Sequence, residues 1–294
     1  MPEAGDGFAT AGRRGAGGPE RARTSDLRFR KPLLYPAELR DRAGRLIAGA
    51  RGWAKALAVM LAIGAAACSP APLDALAPGE RGRVTAASGG VLEIGGERVR
   101  LAGVELAPET DEALRDWAVG REAELLYGGA RRDAYGRTLA QVRLTEGRVW
   151  VQGRLLDAGL ARVRTWSDNR ALAGEMLRRE ARARVAGRGA WAGEGWRVLT
   201  ADEAERARGF ALVEGRVRRV EQRGRSLYLD FGADPRDDFS VRVPAEALEA
   251  FAAAGVAADA LGGRLVRVRG AVRESRYGPV MTVDHPEAVE LLRE

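Results

Sequence analysis

The stretch Arg98-Val-Arg-Leu-Ala-Gly-Val-Glu-Leu-Ala-Pro-Glu109 reads as a strand that runs into the start of a helix. Arg98-Val-Arg-Leu-Ala102 alternates with period two, which puts Arg98 and Arg100 on one face. Gly95-Gly96 supplies a tight hairpin turn into it. Pro108 opens the helix, its following acids suit the positive N-terminal end, and Leu114 and Trp117 share a face. Upstream, Arg83-Val-Thr-Ala-Ala87 and Val91-Leu-Glu-Ile94 read as strands joined by Ser88-Gly-Gly90. Downstream, Ala123–Tyr127 and Thr138–Leu144 are further strands, the second introduced by Asp133-Ala-Tyr-Gly-Arg137. Gln152 to Ala158 is a helix ending at Gly159, Leu160–Val163 is extended, and Asn169 to Ala186 is a helix closed by Gly187. Five strands, one helix after the third and others at the end predict an α+β, mainly β, OB-fold Greek-key barrel with C-terminal helices.

These ordered blocks resemble the thermonuclease (staphylococcal nuclease-like) family over residues 80–194. Leu155-Leu-Asp-Ala-Gly-Leu-Ala-Arg-Val163, Arg179-Glu-Ala-Arg-Ala-Arg184 and Gly189-Ala-Trp191 look like its closing helices. The resemblance implies phosphodiester hydrolysis on DNA or RNA with calcium. In the family a carboxylate pair holds the calcium, a further glutamate activates water, and two arginines grip the phosphate. By position, Arg100 and Arg137 look like the arginines, Glu109 like the general base, and Tyr135 like a tyrosine that contacts the ligand. A guanidinium suits phosphate because its planar fork donates twice and keeps its charge. A well-placed base contributes about 10²–10⁴-fold.

The family's Asp-Gly-Asp-Thr motif reads Ala87-Ser-Gly-Gly90 here, so Gly89 stands where the first metal ligand would. The place of the second aspartate falls on Glu105 when counted from Arg100 and on Leu106 when counted back from Glu109. Calcium takes about six to eight oxygens, with carboxylates supplying the charge. Glu105 is then the one metal ligand the pattern offers, and calcium-dependent hydrolysis is expected to be reduced or absent.

Each residue also has a plainer role. Arg100 fits an outward, solvated strand position, Arg137 a salt bridge, and Glu109 an acid favoured by the helix dipole. Asp133 shapes the loop beside Arg137. The sole histidine, His285, has no partner ligands and reads as structural; Trp166, Trp191 and Trp196 read as packing residues. Three functions stay open: a nuclease with an altered metal site, a catalytically degenerate OB module that binds nucleic acid or another anionic ligand at a bacterial envelope, and an interaction protein that has kept only the fold.

Beyond a linker at 195–208, period-two alternation resumes in Ala211–Val217, Leu227–Phe231, Phe239–Val243, Leu265–Arg269 and Val280–Val283. A helix opened by Pro244 and stopped by Gly255 interrupts them. This is again an OB-like order, a second and smaller barrel over 209–294 with no catalytic residues of its own.

The charge of +7 is uneven: residues 1–67 hold 12 Lys and Arg against 6 Asp and Glu, which leaves 36 and 35 for the remainder. Net charge therefore does not argue for a polyanion partner. Residues 51–68 read as a signal peptide, with the apolar run Ala56–Ala67 and an Ala65-Ala-Ala-Cys68 junction that resembles a lipobox. Cys68, the one cysteine, would carry a lipid anchor to the membrane; plain secretion and an unprocessed anchor are the alternatives, and an intramolecular disulfide is impossible. Residues 1–50 read as a spurious or disordered leader, partly resembling a translated antisense tRNA gene. Residues 69–79 form a linker.

Overall fold

The structure is a computed structural model that describes residues 73–193, 195–234, 238–276 and 278–293. The leader, the signal-like run and Cys68 lie outside these residues. The described residues all belong to one compact unit. Among them no helix is long and apolar enough to cross a membrane.

In chain order the first half contains β1 (Ala77–Ser88), β2 (Val91–Ile94), β3 (Glu97–Leu101), β4 (Val104–Leu106), α1 (Thr110–Ala118), β5 (Glu122–Tyr127), β6 (Thr138–Leu144), β7 (Val149–Trp150), α2 (Val151–Ala158), β8 (Ala161–Val163) and α3 (Ala173–Val185). β1 begins inside the stretch read as a linker. Its first part pairs antiparallel with β5 and its last part with β2, with register shifts at Pro78/Arg81 and Val84/Ala86. Such irregularities bend a strand, and one bent strand can then serve two neighbours. β2 pairs with β3, β3 runs parallel to β6, and β6 returns to β5, which closes the ladder. This is the Greek-key OB order expected from the sequence.

Leu92, Val99, Leu101, Leu125 and Val142 fill the barrel, and Leu114 of α1 with Leu155 and Leu156 of α2 cover its ends. Every residue of β6 is buried. Buried Gln152 matches the backbone polarity there: its Oε1 accepts from Val142 N at 3.1 Å and its Nε2 donates to Ala140 O at 2.9 Å. A buried amide is tolerated only when paired in this way.

The second half contains β9 (Leu199–Thr200), α4 (Ala201–Ala204), β10 (Gly209–Arg216), β11 (Arg219–Arg223), β12 (Ser226–Asp230), β13 (Ser240–Val243), α5 (Ala245–Ala253), β14 (Leu265–Ser275), β15 (Gly278–Thr282) and β16 (Val289–Leu291). β10 and β11 flank a break at Val217–Arg218; the first pairs with β14 and the second with β12. β12 pairs with β13, β13 runs parallel to β15, and β15 pairs with β14. The pairing repeats that of the first barrel around a separate core of Val213, Leu229, Phe239, Val241, Phe251 and Val268. The stretch 195–208 is not bare connector. β9 pairs in parallel with β10, and α4 carries a capping box in which Thr200 and Glu203 satisfy each other's backbone N–H.

The two barrels meet through buried polar contacts. Arg269 of β14, 2% exposed at its side chain, donates to both oxygens of fully buried Glu180 on α3 at 3.0 and 3.1 Å. It also reaches Val163 O of β8 and Glu290 of β16. Glu180 accepts the Val163 N–H at 2.6 Å. Burial works against the Arg269 charge, yet Glu180 and Glu290 hold its pKa above the ordinary value. Thr165 Oγ1 lies 2.8 Å from His285 Nε2, and Arg170 pairs with Glu287 at 2.8 Å. His285 is thus a buried bridge between barrels, consistent with a structural role.

Candidate nucleic-acid cleft

A cleft of about 390 Å³ opens where the β1–β2 turn, β3, β4, the start of α1 and the loop before β6 converge. Arg100, Glu105 and Arg137 line it together with Gly89, Gly90, Leu106, Pro108 and Asp111. Arg100 is aimed there by the alternation of β3, which pairs it with Leu139 of β6, two residues beyond Arg137. The parallel β3–β6 ladder therefore brings together two arginines 37 positions apart.

Asp133 organises both. Its Oδ1 accepts the Tyr135 and Arg137 backbone N–H groups at 2.9 and 3.0 Å, an Asx-type turn that Gly136 completes at φ 74°. Its Oδ2 lies 2.7 Å from Arg137 Nε and 3.9 Å from Arg100 Nη1. Burial opposes the charge on Asp133, but the Arg137 guanidinium and the two backbone donors hold its carboxyl below the ordinary range. Burial, then the like charges of Arg137 and Arg164, push the Arg100 pKa down, while Asp133 and Glu105 act in the opposite sense. Both arginine side chains are 25% exposed, so each can add a ligand to the carboxylate it already holds. Tyr135 projects from the loop tip, 83% exposed, with the Arg137 guanidinium 5.2 Å from its ring centre.

The acids of the cleft are already engaged. Glu105 of β4 faces Arg162 of β8 across the ladder and pairs with it at 3.2 Å; Arg164 approaches at 3.7 Å. Asp111 was visible in the sequence only as an acid in the first helical turn. Its two oxygens accept the backbone N–H groups of Gly89 and Gly90 at 2.6 and 3.0 Å. These glycines sit at φ 58° and 73°, where successive N–H groups turn to one side and form an anion-binding nest. The double-glycine turn was the available signal for Asp111, and the alternation in Ala161-Arg-Val-Arg164 was the signal for Arg162 and Arg164. Glu109 is not brought to the cleft lining: it is exposed at the N-terminal boundary of α1 and makes no side-chain capping bond.

Residues 98–193 match the family model of the staphylococcal nuclease homologues. The first barrel is a staphylococcal nuclease-like domain. The match begins at Arg98, so β1, β2 and the Gly89–Gly90 turn precede it, and it covers about a third of the chain. No curated protein matches the chain. Domains of this family point to nuclease or nucleic-acid-binding function, and its nucleases typically use calcium. Among the described residues no group of three or more His, Cys, Asp or Glu side chains could hold a metal ion.

Proposed function

We propose that the staphylococcal nuclease-like barrel binds the phosphate groups of nucleic acid at this cleft and does so with little or no calcium-dependent hydrolysis. The convergence of Arg100 and Arg137 on one Asp133 oxygen carries the reading. It presents two pre-oriented guanidiniums at the mouth of a cleft, and the exposed Tyr135 ring beside them offers a face to a base.

The donor set does not fit calcium. Glu105 is compensated by two guanidiniums, Asp111 is spent on the glycine turn, and Gly89 brings no side-chain oxygen. A divalent cation here would enter a field set by Arg100, Arg137, Arg162 and Arg164 without the free carboxylates it prefers. A hydrolytic reading draws its support from one observation: Asp111 and Glu105 both line the cleft, and a substrate that displaced their partners would free two carboxylates. Glu109 as general base would then require movement of the α1 boundary.

The test uses the purified chain with single-stranded DNA, duplex DNA and RNA, in calcium, magnesium, manganese or EDTA. Salt-sensitive binding that persists in EDTA is expected, and Arg137→Ala should weaken it about tenfold or more, the worth of a charged hydrogen-bond pair. Metal-stimulated cleavage lost in Arg137→Ala would establish the hydrolase instead. Export through residues 51–68 with a lipid on Cys68 belongs to the same proposal, supported by the apolar run and its junction. Membrane partitioning abolished by Cys68→Ala would bear it out.

A further inference from the structure

The cleft does not end at Arg100. The Arg100 guanidinium lies 5.2 Å from the centre of the Trp166 ring, and Arg164 lies 5.5 Å from the same ring. Arg164 in turn is 5.1 Å from the Phe210 ring, which belongs to β10 of the second barrel. Arg164 and Trp166 also form one wall of a second cavity of about 280 Å³, whose other walls come from Phe210, Arg273 and the segment around Asp284. Arg164 thus touches Glu105 in the first cleft and lines the second cavity.

Trp166 and Phe210 are half-buried rather than sealed, and both line the second cavity. Arg273 is exposed, and no carboxylate among the described residues pairs with it. Asp284 is the acid of the cavity, and its carboxylate is already held by His285 Nδ1 at 2.8 Å. The result is an alternation of guanidinium and aromatic ring that starts in the nuclease-like barrel and crosses to the other. Guanidiniums take backbone phosphates and aromatic faces take unstacked bases, the combination that single strands require. A duplex cannot use it, because its bases are stacked inward and a ring recessed between two barrels reaches only a base that has left the stack.

We propose that the cavity between the barrels is a second nucleotide subsite, and that the ligand is a single strand running from Arg100 and Arg137 across Trp166 and Phe210 to Arg273. This rests on the cleft reading above and extends it by a strand path, a preference for single strands, and a binding role for the second barrel.

The experiment measures fluorescence anisotropy of the full chain with a labelled trinucleotide, a twelve-nucleotide single strand and a twelve-base-pair duplex of the same sequence. The variants are Phe210→Leu, Arg273→Glu and Arg137→Ala. The twelve-nucleotide strand is expected to bind about tenfold or more tighter than either the trinucleotide or the duplex. Phe210→Leu and Arg273→Glu should each reduce that affinity about fivefold or more and leave the trinucleotide unchanged; Arg137→Ala should weaken both. Arg273 is exposed, so its variant tests the path even where Phe210→Leu perturbs packing. Equal affinity of single strand and duplex, or a long strand indifferent to both second-barrel variants while Arg137→Ala still weakens it, would overturn the path and leave the cleft standing. Failure of every oligonucleotide to bind would overturn both.

Discussion

Asp111 shows how one carboxylate changes the meaning of a loop. Two glycine N–H groups face it at 2.6 and 3.0 Å, so the turn between β1 and β2 is braced from α1 across 21 and 22 positions. Asp111→Ala removes the acceptor for both, and the loss should be about 1–2 kcal/mol, read by urea denaturation. A change below a few tenths would mean that the turn holds itself. Asp133 has the corresponding task for Arg100 and Arg137. Its position in Asp133-Ala-Tyr-Gly-Arg137 made the loop-shaping role legible, because an Asx turn is local. Its second contact, to Arg100, depends on strand pairing and was not.

Glycines at helix ends separate strain from collision. Gly159 ends α2 at φ 72°, and a Cβ there would strike the Arg188 carbonyl, whereas Gly187, near the end of α3 at φ 58°, has nothing within 4 Å of the same added atom. Gly187→Ala should therefore cost only the left-handed penalty, roughly 1–2 kcal/mol. Gly159→Ala should cost more than about 2 kcal/mol, because the backbone around Arg188 must also move. Paired urea melts decide it, and equal losses would show that the Arg188 segment yields freely. Elements with strong alternation were readable from the chain. β11 was not, since Arg219-Val-Glu-Gln-Arg223 has one apolar residue, and β16 is only three residues long. α3 starts at Ala173 rather than Asn169 because Asn169 is used elsewhere, donating to Ala130 O at 2.9 Å.

The two barrels share a buried ionic cluster of Arg269, Glu180 and Glu290. Removing one member of such a cluster leaves charge without a partner, so Arg269→Ala should cost about 3–5 kcal/mol. Arg269→Met combined with Glu180→Gln should lose less than the sum of the single changes, because fewer charges are stranded. Burial works against ionised Glu290, but Arg269 and Arg267 hold its pKa below the ordinary 4.5. A depressed carboxylate contributes stability that is present above its unfolded value and is lost as pH falls through the lower folded value. Stability should thus decline below about pH 4.5, and Glu290→Gln should flatten that decline. An equally steep acid transition in the variant would assign it to other carboxylates.

Local chemistry was enough to read the barrel order of both halves, the turn that holds Arg137, and the family resemblance of the first barrel. Hydrophobic alternation, turn residues and helix stops act within a few positions, so they are written in the chain. Tertiary structure alone decided that Glu105 is neutralised by Arg162 and Arg164, that Asp111 rather than Glu109 enters the cleft, and that Phe210 and Trp166 share the Arg164 guanidinium. Each of those depends on which strand lies beside which and on how two barrels dock. Partners brought together across tens of residues leave no mark in local spacing.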